Sequence, residues 1–440
     1  MLVVVLLTLA VFGPYLVGSV RTDQLATYAC LLLLVPFHVR QLQLAGTKAL
    51  LIAWGAYLLV ALAAAIPPAS PSDDWQRGSL IAGLDNLILP VAVMLIVWSV
   101  VPRASAHLAL LAVGRVLSIA MAANAVLALV SSQVTLTPVL RGFWSNANVE
   151  WTTAENATYN GRFSGIFNHP AEAGVVYGVA GLLAIVVWQN RRVLLLILLG
   201  LILMGGVLTV SKVFLFGGVP LILLFWFLSL PSTRAARLGA LGGLTALAVA
   251  AYFVARDWSG FSYLLRLFVP TESEGTGGTS SPFEIVVDLY SSGRFTEGSE
   301  LLQVIDGVSS SNALWGVGAA GWQVPYDNGW VEAFVVAGLL GFVAYTVTLA
   351  LIFVIALRQP DRRLKLFGVF LALFLTGASL GIPALTVNRT ALAVWLVVSL
   401  LGLLARPYVY GAKRAKRSPE IRDAEALSGT HRDKSEDIAS

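Results

Sequence analysis

The chain has 440 residues, of which 57% are hydrophobic and only 12% charged, and its mean hydropathy is +0.80. Soluble domains carry about twice that charged fraction, so the composition excludes an ordinary soluble protein and indicates one embedded in a bilayer. Most of the excess positive charge behind the formal net charge of +5 lies in short loops and the C-terminal tail, so we expect no nucleic-acid partner. The single cysteine, Cys30, excludes an intramolecular disulfide framework and a cysteine-based metal cluster.

Long apolar runs recur along the chain and predict an all-α polytopic membrane protein. A helix needs about 20 apolar residues, at ~1.5 Å rise each, to cross a bilayer. On that basis we expect about twelve transmembrane helices, near residues 2–20, 24–38, 48–66, 80–101, 106–130, 172–189, 193–210, 212–230, 238–255, 331–357, 364–382 and 390–405. The first run lacks a basic start and a small-residue cleavage site, so we expect a first span there rather than a signal peptide.

Lysine and arginine in the short loops predict the orientation, because cytoplasmic loops carry an excess of positive charge. With both termini cytoplasmic, the inside loops hold Arg40, Lys48, Arg103, Arg191, Arg192, Arg234, Arg237, Arg358, Arg362, Arg363 and Lys365. We therefore expect a membrane domain over 1–412. It has extracytoplasmic loops at 131–171 and 256–330, the larger one between the ninth and tenth spans. Residues 413–440 are charged and poor in apolar side chains, and predict a disordered cytoplasmic tail.

Four cations fall on the predicted outer side, at span ends or beside glycine-rich turns: Arg162, Lys212, Arg294 and Arg389. Ionisable groups near a membrane mark candidate functional sites, and arginine and lysine suit a lipid-linked phosphate. Structural alternatives remain open. Lys212 could snorkel to the headgroups, Arg294 could be a solvated loop residue, and Arg389 could anchor its helix at the interface.

Acidic and imidazole side chains stand at the starts of two predicted spans. Asp327 and Asn328 precede the apolar stretch GWVEAFVVAGLLGF. An aspartate can take a proton from an attacking hydroxyl, but such a pair also caps a helix by accepting free backbone N–H groups. Glu332, one turn later, is either a second carboxylate of the site or an acid favoured by the helix dipole. His169, before Pro170, starts another helix with an acid in its first turn, and is a further candidate for the site.

Four stretches, in order, resemble one family: GRFSGIFNHPAEAGVVYG, LTVSKVFLFGG, SSGRFTEG with WGVGAAGW, and YDNGWVEAFVVAGLLGF. They are similar to the motifs of the O-antigen ligase and O-antigen/capsule polymerase superfamily of bacterial envelope glycosyltransferases. The resemblance covers residues 162–341 and implies a GT-C-like fold in a bacterial inner membrane. Lys212 stands where the family has an arginine. Asp327 stands where ligases typically have a histidine, which favours a polysaccharide polymerase.

The resemblance also implies a mechanism and partners. The donor is a glycan on a polyprenyl diphosphate, and the acceptor is a glycan or lipid. Lys212 and Arg294 act with Arg162 on the diphosphate, and Asp327 activates the acceptor hydroxyl, which attacks with inversion. His169, Asn328, Glu332 and Arg389 are candidate substrate-binding residues. The lipid diphosphate is already activated, so no metal or other cofactor is expected. Other proteins of envelope-polysaccharide assembly are expected partners.

Two other functions stay open at this point. A ligase of the same superfamily would join finished glycan to a lipid or protein acceptor. A transporter or flippase of lipid-linked sugars would place charged groups at the bilayer midplane and use broken helices. Here the charged groups cluster at predicted outer ends, which favours chemistry at the membrane surface over translocation.

Overall fold

The computed structural model describes residues 1–18, 20–43, 47–66, 76–145, 150–230, 299–323 and 326–405, and these are mostly helical. The α-helices in these ranges are α1 (Leu2–Ala10), α2 (Thr22–His38), α3 (Lys48–Ala64), α4 (Leu80–Val100), α5 (Ala106–Ser131), α6 (Thr137–Trp144), α7 (Thr153–Tyr159), α8 (Pro170–Val187), α9 (Arg192–Leu208), α10 (Val219–Ser229), α11 (Glu300–Asn312), α12 (Gly329–Leu357), α13 (Arg362–Ala378) and α14 (Asn388–Leu404). A short antiparallel hairpin, β1 (Tyr15–Val17) and β2 (Val20–Arg21), follows α1. A π-helix over Val213–Gly218 leads into α10.

Five helical stretches are long and apolar enough to cross a membrane: Thr22–Gln41, Leu80–Val100, Arg103–Ser131, Pro170–Val187 and Gly329–Leu357. Shorter apolar helices accompany them at Lys48–Ala64, Arg192–Leu208, Val213–Ser229 and Arg389–Leu404. The architecture is thus consistent with the expected all-α membrane protein, while the number of spans stays a prediction. The predicted ninth span, 238–255, and the predicted tail, 413–440, lie outside the described residues.

The first predicted span, 2–20, is not one continuous helix. Helix α1 ends at Ala10, and its nine residues rise only ~13 Å at 1.5 Å each, well short of a ~30 Å hydrocarbon core. Gly13 and Pro14 follow, and proline disfavours helical geometry in the residue before it. The chain then turns back, and Thr22 donates its hydroxyl to the Pro14 carbonyl at 2.7 Å.

Helix α8 lies at the centre of the bundle. Every residue from Pro170 to Val186 is buried, as expected for a helix that is apolar on all sides. It packs against α5, α9, α13, α14 and the π-helix. Gly178 permits one of these contacts, because a Cβ at that position would lie 2.2 Å from Phe374 Cζ.

The ends of the helices meet in two groups. At one end, Arg103 donates to the Ala405 carbonyl and Gln359 donates to the Leu401 carbonyl. The sequence places Arg103 and the neighbourhood of Gln359 on the cytoplasmic side. At the other end, the first turns of α4, α8 and α12 converge with the residues just before α14. Arg103 and Gln359, which follow α4 and α12, thus both contact the end of α14, while the side of the membrane on which they lie stays a prediction.

Helix α12 is broken at Ala337 and Gly338. Gly338 has φ +61° and ψ −154°, a conformation essentially restricted to glycine. The break leaves backbone groups without intrahelical partners, and residues 313–318 supply new ones. Val317 and Gly318 donate their N–H groups to Val335 and Val336 at 2.8 and 3.0 Å. The carbonyl of Ala313 accepts from Leu339 at 2.8 Å. The glycine-rich segment, residues 316–321, is thereby held against the first two turns of α12.

Candidate functional site

A polar cavity of about 370 Å³ opens where the helix starts converge. Its volume falls within the ~300–1,000 Å³ typical of small-molecule sites. The polar cavity is lined by Ser79, Ala82, Gly83, Asn86, Thr153, Asn168, His169, Glu172, Ala319, Ala320, Gly321, Tyr326, Asp327, Glu332, Val336, Ile382, Pro383 and Val387. Three predicted site residues, His169, Asp327 and Glu332, are therefore brought together from distant parts of the sequence.

Asp327 and Asn328 divide the two roles that the sequence leaves open. Asn328 caps α12: its Oδ1 accepts from the N–H groups of Trp330 and Val331 at 2.9 and 3.1 Å. Its Nδ2 donates to the Leu380 carbonyl at 3.2 Å. Asp327 lies in the cavity lining instead, with φ +45°. This left-handed conformation is strained for a residue other than glycine, and such strain clusters at functional sites.

Tyr326 borders the cavity beside Asp327. Its hydroxyl donates to the Trp322 carbonyl at 2.9 Å and accepts from the Trp322 N–H at 2.6 Å. Burial raises the pKa of the Tyr326 phenol, so the group is neutral at physiological pH. Tyr326, the neighbour of Asp327, is thus held against the backbone of Trp322.

Glu332 lies one turn into α12 and is only 8% exposed. Its Oε2 accepts from the Thr386 hydroxyl at 2.9 Å. Its Oε1 receives no hydrogen bond from the part of the chain that the structure describes. The side chain is therefore fixed by one oxygen, which leaves the other for a ligand.

His169 caps α8, as its position before Pro170 suggests. Its Nδ1 accepts from the Ala171 N–H at 3.2 Å. In the neutral ring, the proton therefore lies on Nε2. His169 lines the cavity beside Asn168, so helix capping and a place in the site coexist.

Glu172 is a member of the cavity that the sequence did not single out as a site residue. It lies in the first turn of α8 and is 2% exposed. Its Oε1 accepts from the Arg389 backbone N–H at 3.1 Å, and so satisfies one free donor at the start of α14. No other donor among the described residues reaches its carboxylate, although the Thr390 hydroxyl donates to its backbone carbonyl at 3.3 Å. A carboxylate in the first turn of an otherwise apolar segment is the signal that could have identified it.

Arg389 lies beside the cavity but does not line it. The side chain is buried, and its guanidinium donates to the carbonyls of Gly13, Phe143 and Ile166 at 2.7–2.8 Å. The guanidinium also lies over the rings of Tyr15 and Phe167, at 5.7 and 5.9 Å from their centroids. Arg389 thus joins the turn after α1, helix α6 and the loop before α8 to the start of α14.

Arg162 and Lys212 belong to neighbouring segments away from the cavity lining. The Arg162 Nε donates to the Thr209 carbonyl at 3.4 Å, three residues before Lys212. Both side chains are half-buried. Val210 has φ +47°, a strained conformation for a β-branched residue, and Lys212 directly precedes the π-helix. Such π-helical turns are frequent at functional sites. Arg294, the remaining predicted cation, lies outside the described residues.

No protein-family model matches the sequence, and no curated protein matches it either.

Proposed function

We propose that the protein is an extracytoplasmic glycan polymerase that transfers a polyprenyl-diphosphate-linked oligosaccharide to a sugar hydroxyl. The observation that carries the proposal is the convergence of Asp327, His169 and Glu332 on one cavity at the end of an apolar bundle. These residues come from two of the motifs that resemble the envelope glycosyltransferases. A cavity of this size with several polar groups is a usual setting of a catalytic site.

Backbone strain adds support for the roles of two residues. Among the described residues, the two non-glycine positions with positive φ are Asp327 and Val210, which lies two residues before Lys212. Both fall in motifs that carry the resemblance. Conformations of this kind cost about 1–3 kcal/mol each and persist where the surrounding structure imposes them, frequently at functional sites.

In the proposed reaction, the acceptor hydroxyl attacks the anomeric carbon of the donor glycan with inversion. The new glycosidic C–O bond forms as the bond between that carbon and the diphosphate oxygen breaks. Asp327 takes the hydroxyl proton. The lipid diphosphate leaves with the bonding electrons, and Lys212, with Arg162 and Arg294, stabilises its charge.

The test is reconstitution of the purified protein in liposomes with a lipid-diphosphate-linked oligosaccharide. Products are sized by gel and mass spectrometry. A ladder of repeats supports the polymerase, whereas one transfer to a different lipid or protein acceptor identifies a ligase. If no covalent product forms with active donor and acceptor present, the proposed chemistry is wrong.

A transporter of lipid-linked sugars is the second candidate, and the break in α12 favours it. Transporters build substrate sites from discontinuous helices, and the break at Ala337 and Gly338 follows Glu332 by little more than one turn. The same liposomes distinguish the two functions. Movement of intact donor lipid across the bilayer without a covalent product would establish the transporter.

A further inference from the structure

We infer that the polar cavity is the subsite for the acceptor sugar, and that it selects an uncharged or amino sugar over an acidic one. The inference rests on the proposed function, because it assigns one of the two substrates of that reaction to the cavity. It follows from which hydrogen bonds the cavity can still make.

Two buried glutamates present acceptor oxygens to a ligand. Glu172 and Glu332 are at least nine-tenths buried, and each is held through one oxygen, by the Arg389 N–H and the Thr386 hydroxyl respectively. Within the described part of the chain, nothing donates to their second oxygens. These second oxygens are reachable from the cavity, and a ligand that displaces water from them must replace its hydrogen bonds. A ligand that fits this cavity therefore brings donors.

Sugar hydroxyls and the ammonium of an amino sugar are such donors. Asn86 and Asn168 add amide groups, which both donate and accept, and Thr153 and Ser79 add hydroxyls. A sugar acid brings a carboxylate, which accepts only and is repelled by the Asp327 carboxylate and by any glutamate of the lining that is ionised. No lysine or arginine lines the cavity within the described residues, and the guanidinium of the neighbouring Arg389 already donates to three backbone carbonyls. The lining therefore offers no cation to an acidic sugar.

The loop between α13 and α14, together with the first turn of α14, fixes both glutamates. Thr386 binds Glu332, and three residues later the Arg389 N–H binds Glu172. Pro383 and Val387 of the same loop line the cavity. The two free oxygens are therefore set relative to each other by one short stretch of backbone, which favours a ligand with donors at a defined spacing.

The test measures binding directly, by calorimetry on the full-length protein in nanodiscs. The probes are three otherwise identical soluble oligosaccharides that end in glucose, glucosamine or glucuronic acid. We expect the first two to bind and the glucuronic-acid probe to bind at least about tenfold more weakly, because like charges at a buried site oppose binding. Equal affinity for the acidic and neutral probes, or binding of none of the three, would overturn the inference.

Charge-neutral variants identify the residues responsible. Glu172→Gln and Glu332→Gln keep an oxygen for the Arg389 and Thr386 donors, and should raise affinity for the acidic probe about tenfold relative to the neutral one. Asp306→Asn removes an exposed carboxylate on α11 and should leave that ratio unchanged. An unchanged ratio in both glutamine variants contradicts the assignment. Should either variant fail to fold, the wild-type ratio still decides.

Binding and transfer can fail separately. Selective sugar binding without transfer in the liposome assay would leave the subsite standing and refute the polymerase. Transfer that occurs equally well to neutral and acidic acceptors would support the polymerase and refute the selectivity.

Discussion

At the scale of single residues, the adjacent side chains of Asp327 and Asn328 have different roles. Asn328 satisfies the free N–H groups of α12, and this capping presents its neighbour Asp327 to the cavity. Arg389 illustrates the reverse case. The sequence suggests a cation for a substrate, while the structure engages that cation with three backbone carbonyls. The role of a charged residue at the end of a span therefore depends on the groups that it contacts.

Asp327→Asn tests the proposed base. Asparagine accepts left-handed backbone geometry about as well as aspartate, so thermal stability should be unchanged. Removal of a general base should lower the transfer rate at least ~100-fold, measured by initial rates in the liposome assay. Asp306→Asn, which removes an exposed carboxylate elsewhere, is the matched control. Full activity in Asp327→Asn would leave helix positioning as the only role of this turn.

Arg389→Lys tests whether the Arg389 guanidinium stabilises the fold through its three backbone carbonyls. Lysine keeps the charge but lacks the planar fork that reaches several carbonyls at once, so buried acceptors lose their donors at a cost of about 1–3 kcal/mol each. We expect a marked fall in Tm, measured by thermal unfolding in detergent. Arg192→Lys changes an exposed arginine at the start of α9 and should leave Tm unchanged. A fully stable Arg389→Lys variant that has lost glycan transfer would instead favour the predicted substrate-binding role.

At the scale of elements, the break in α12 is stabilised by residues 313–318, which lie outside that helix and pack against it. Residues 313–318 exchange backbone hydrogen bonds with both sides of Ala337 and Gly338. The glycines make this approach feasible, since a Cβ on Gly338 would lie 2.4 Å from the Leu314 carbonyl. The same segment continues into the cavity wall at Ala319, Ala320 and Gly321. The segment that stabilises the break in α12 thus also forms part of the cavity wall.

Gly338→Ala should disrupt the packing of this segment against the break in α12. The substitution combines a steric clash with a backbone conformation that alanine avoids, and we expect about 2 kcal/mol or more of destabilisation. Thermal unfolding in detergent measures it. Gly55→Ala is the control, because a Cβ there meets nothing within 4 Å in helix α3 and alanine is the better helix former. Equal stability of the two variants would mean that α12 can run unbroken.

At the scale of the whole molecule, the two ends of the helices differ in their contacts. The basic loops around Arg103 and Gln359 meet at one end, and the polar cavity occupies the other. The membrane orientation stays a prediction, made from the alternation of basic and polar loops along the chain.

Cysteine labelling tests the predicted orientation. In a Cys30→Ala background, Asp306→Cys and Arg192→Cys place single thiols at exposed positions on the predicted outer and inner sides. A membrane-impermeant maleimide added to intact cells should label the first and not the second. Both thiols should react once the membrane is opened. Labelling of Arg192→Cys from outside would reverse the predicted orientation and remove the proposed extracytoplasmic site.

Local chemistry in the sequence alone determined the class of molecule and several helix starts. Apolar runs long enough for a bilayer predict helices, and His169 with Pro170, and Asn328 with Gly329, mark caps that the structure contains. The end of α1 at Ala10 was missed in the predicted span 2–20, although Gly13 and Pro14 are the signals that could have indicated it. These features depend on neighbours within a turn, so a single stretch of sequence records them.

Only the tertiary structure decided which helix starts meet, and hence that Glu172 shares a cavity with Asp327. It also decided that Arg389 serves three carbonyls and that α12 breaks where residues 313–318 supply partners. The physical reason is the sequence separation of the interacting groups. Helix capping and hydrophobicity depend on neighbouring residues, whereas the partners of a buried polar group come from segments up to hundreds of residues away. The packing of apolar helix faces brings those segments together, and many different sequences allow such packing.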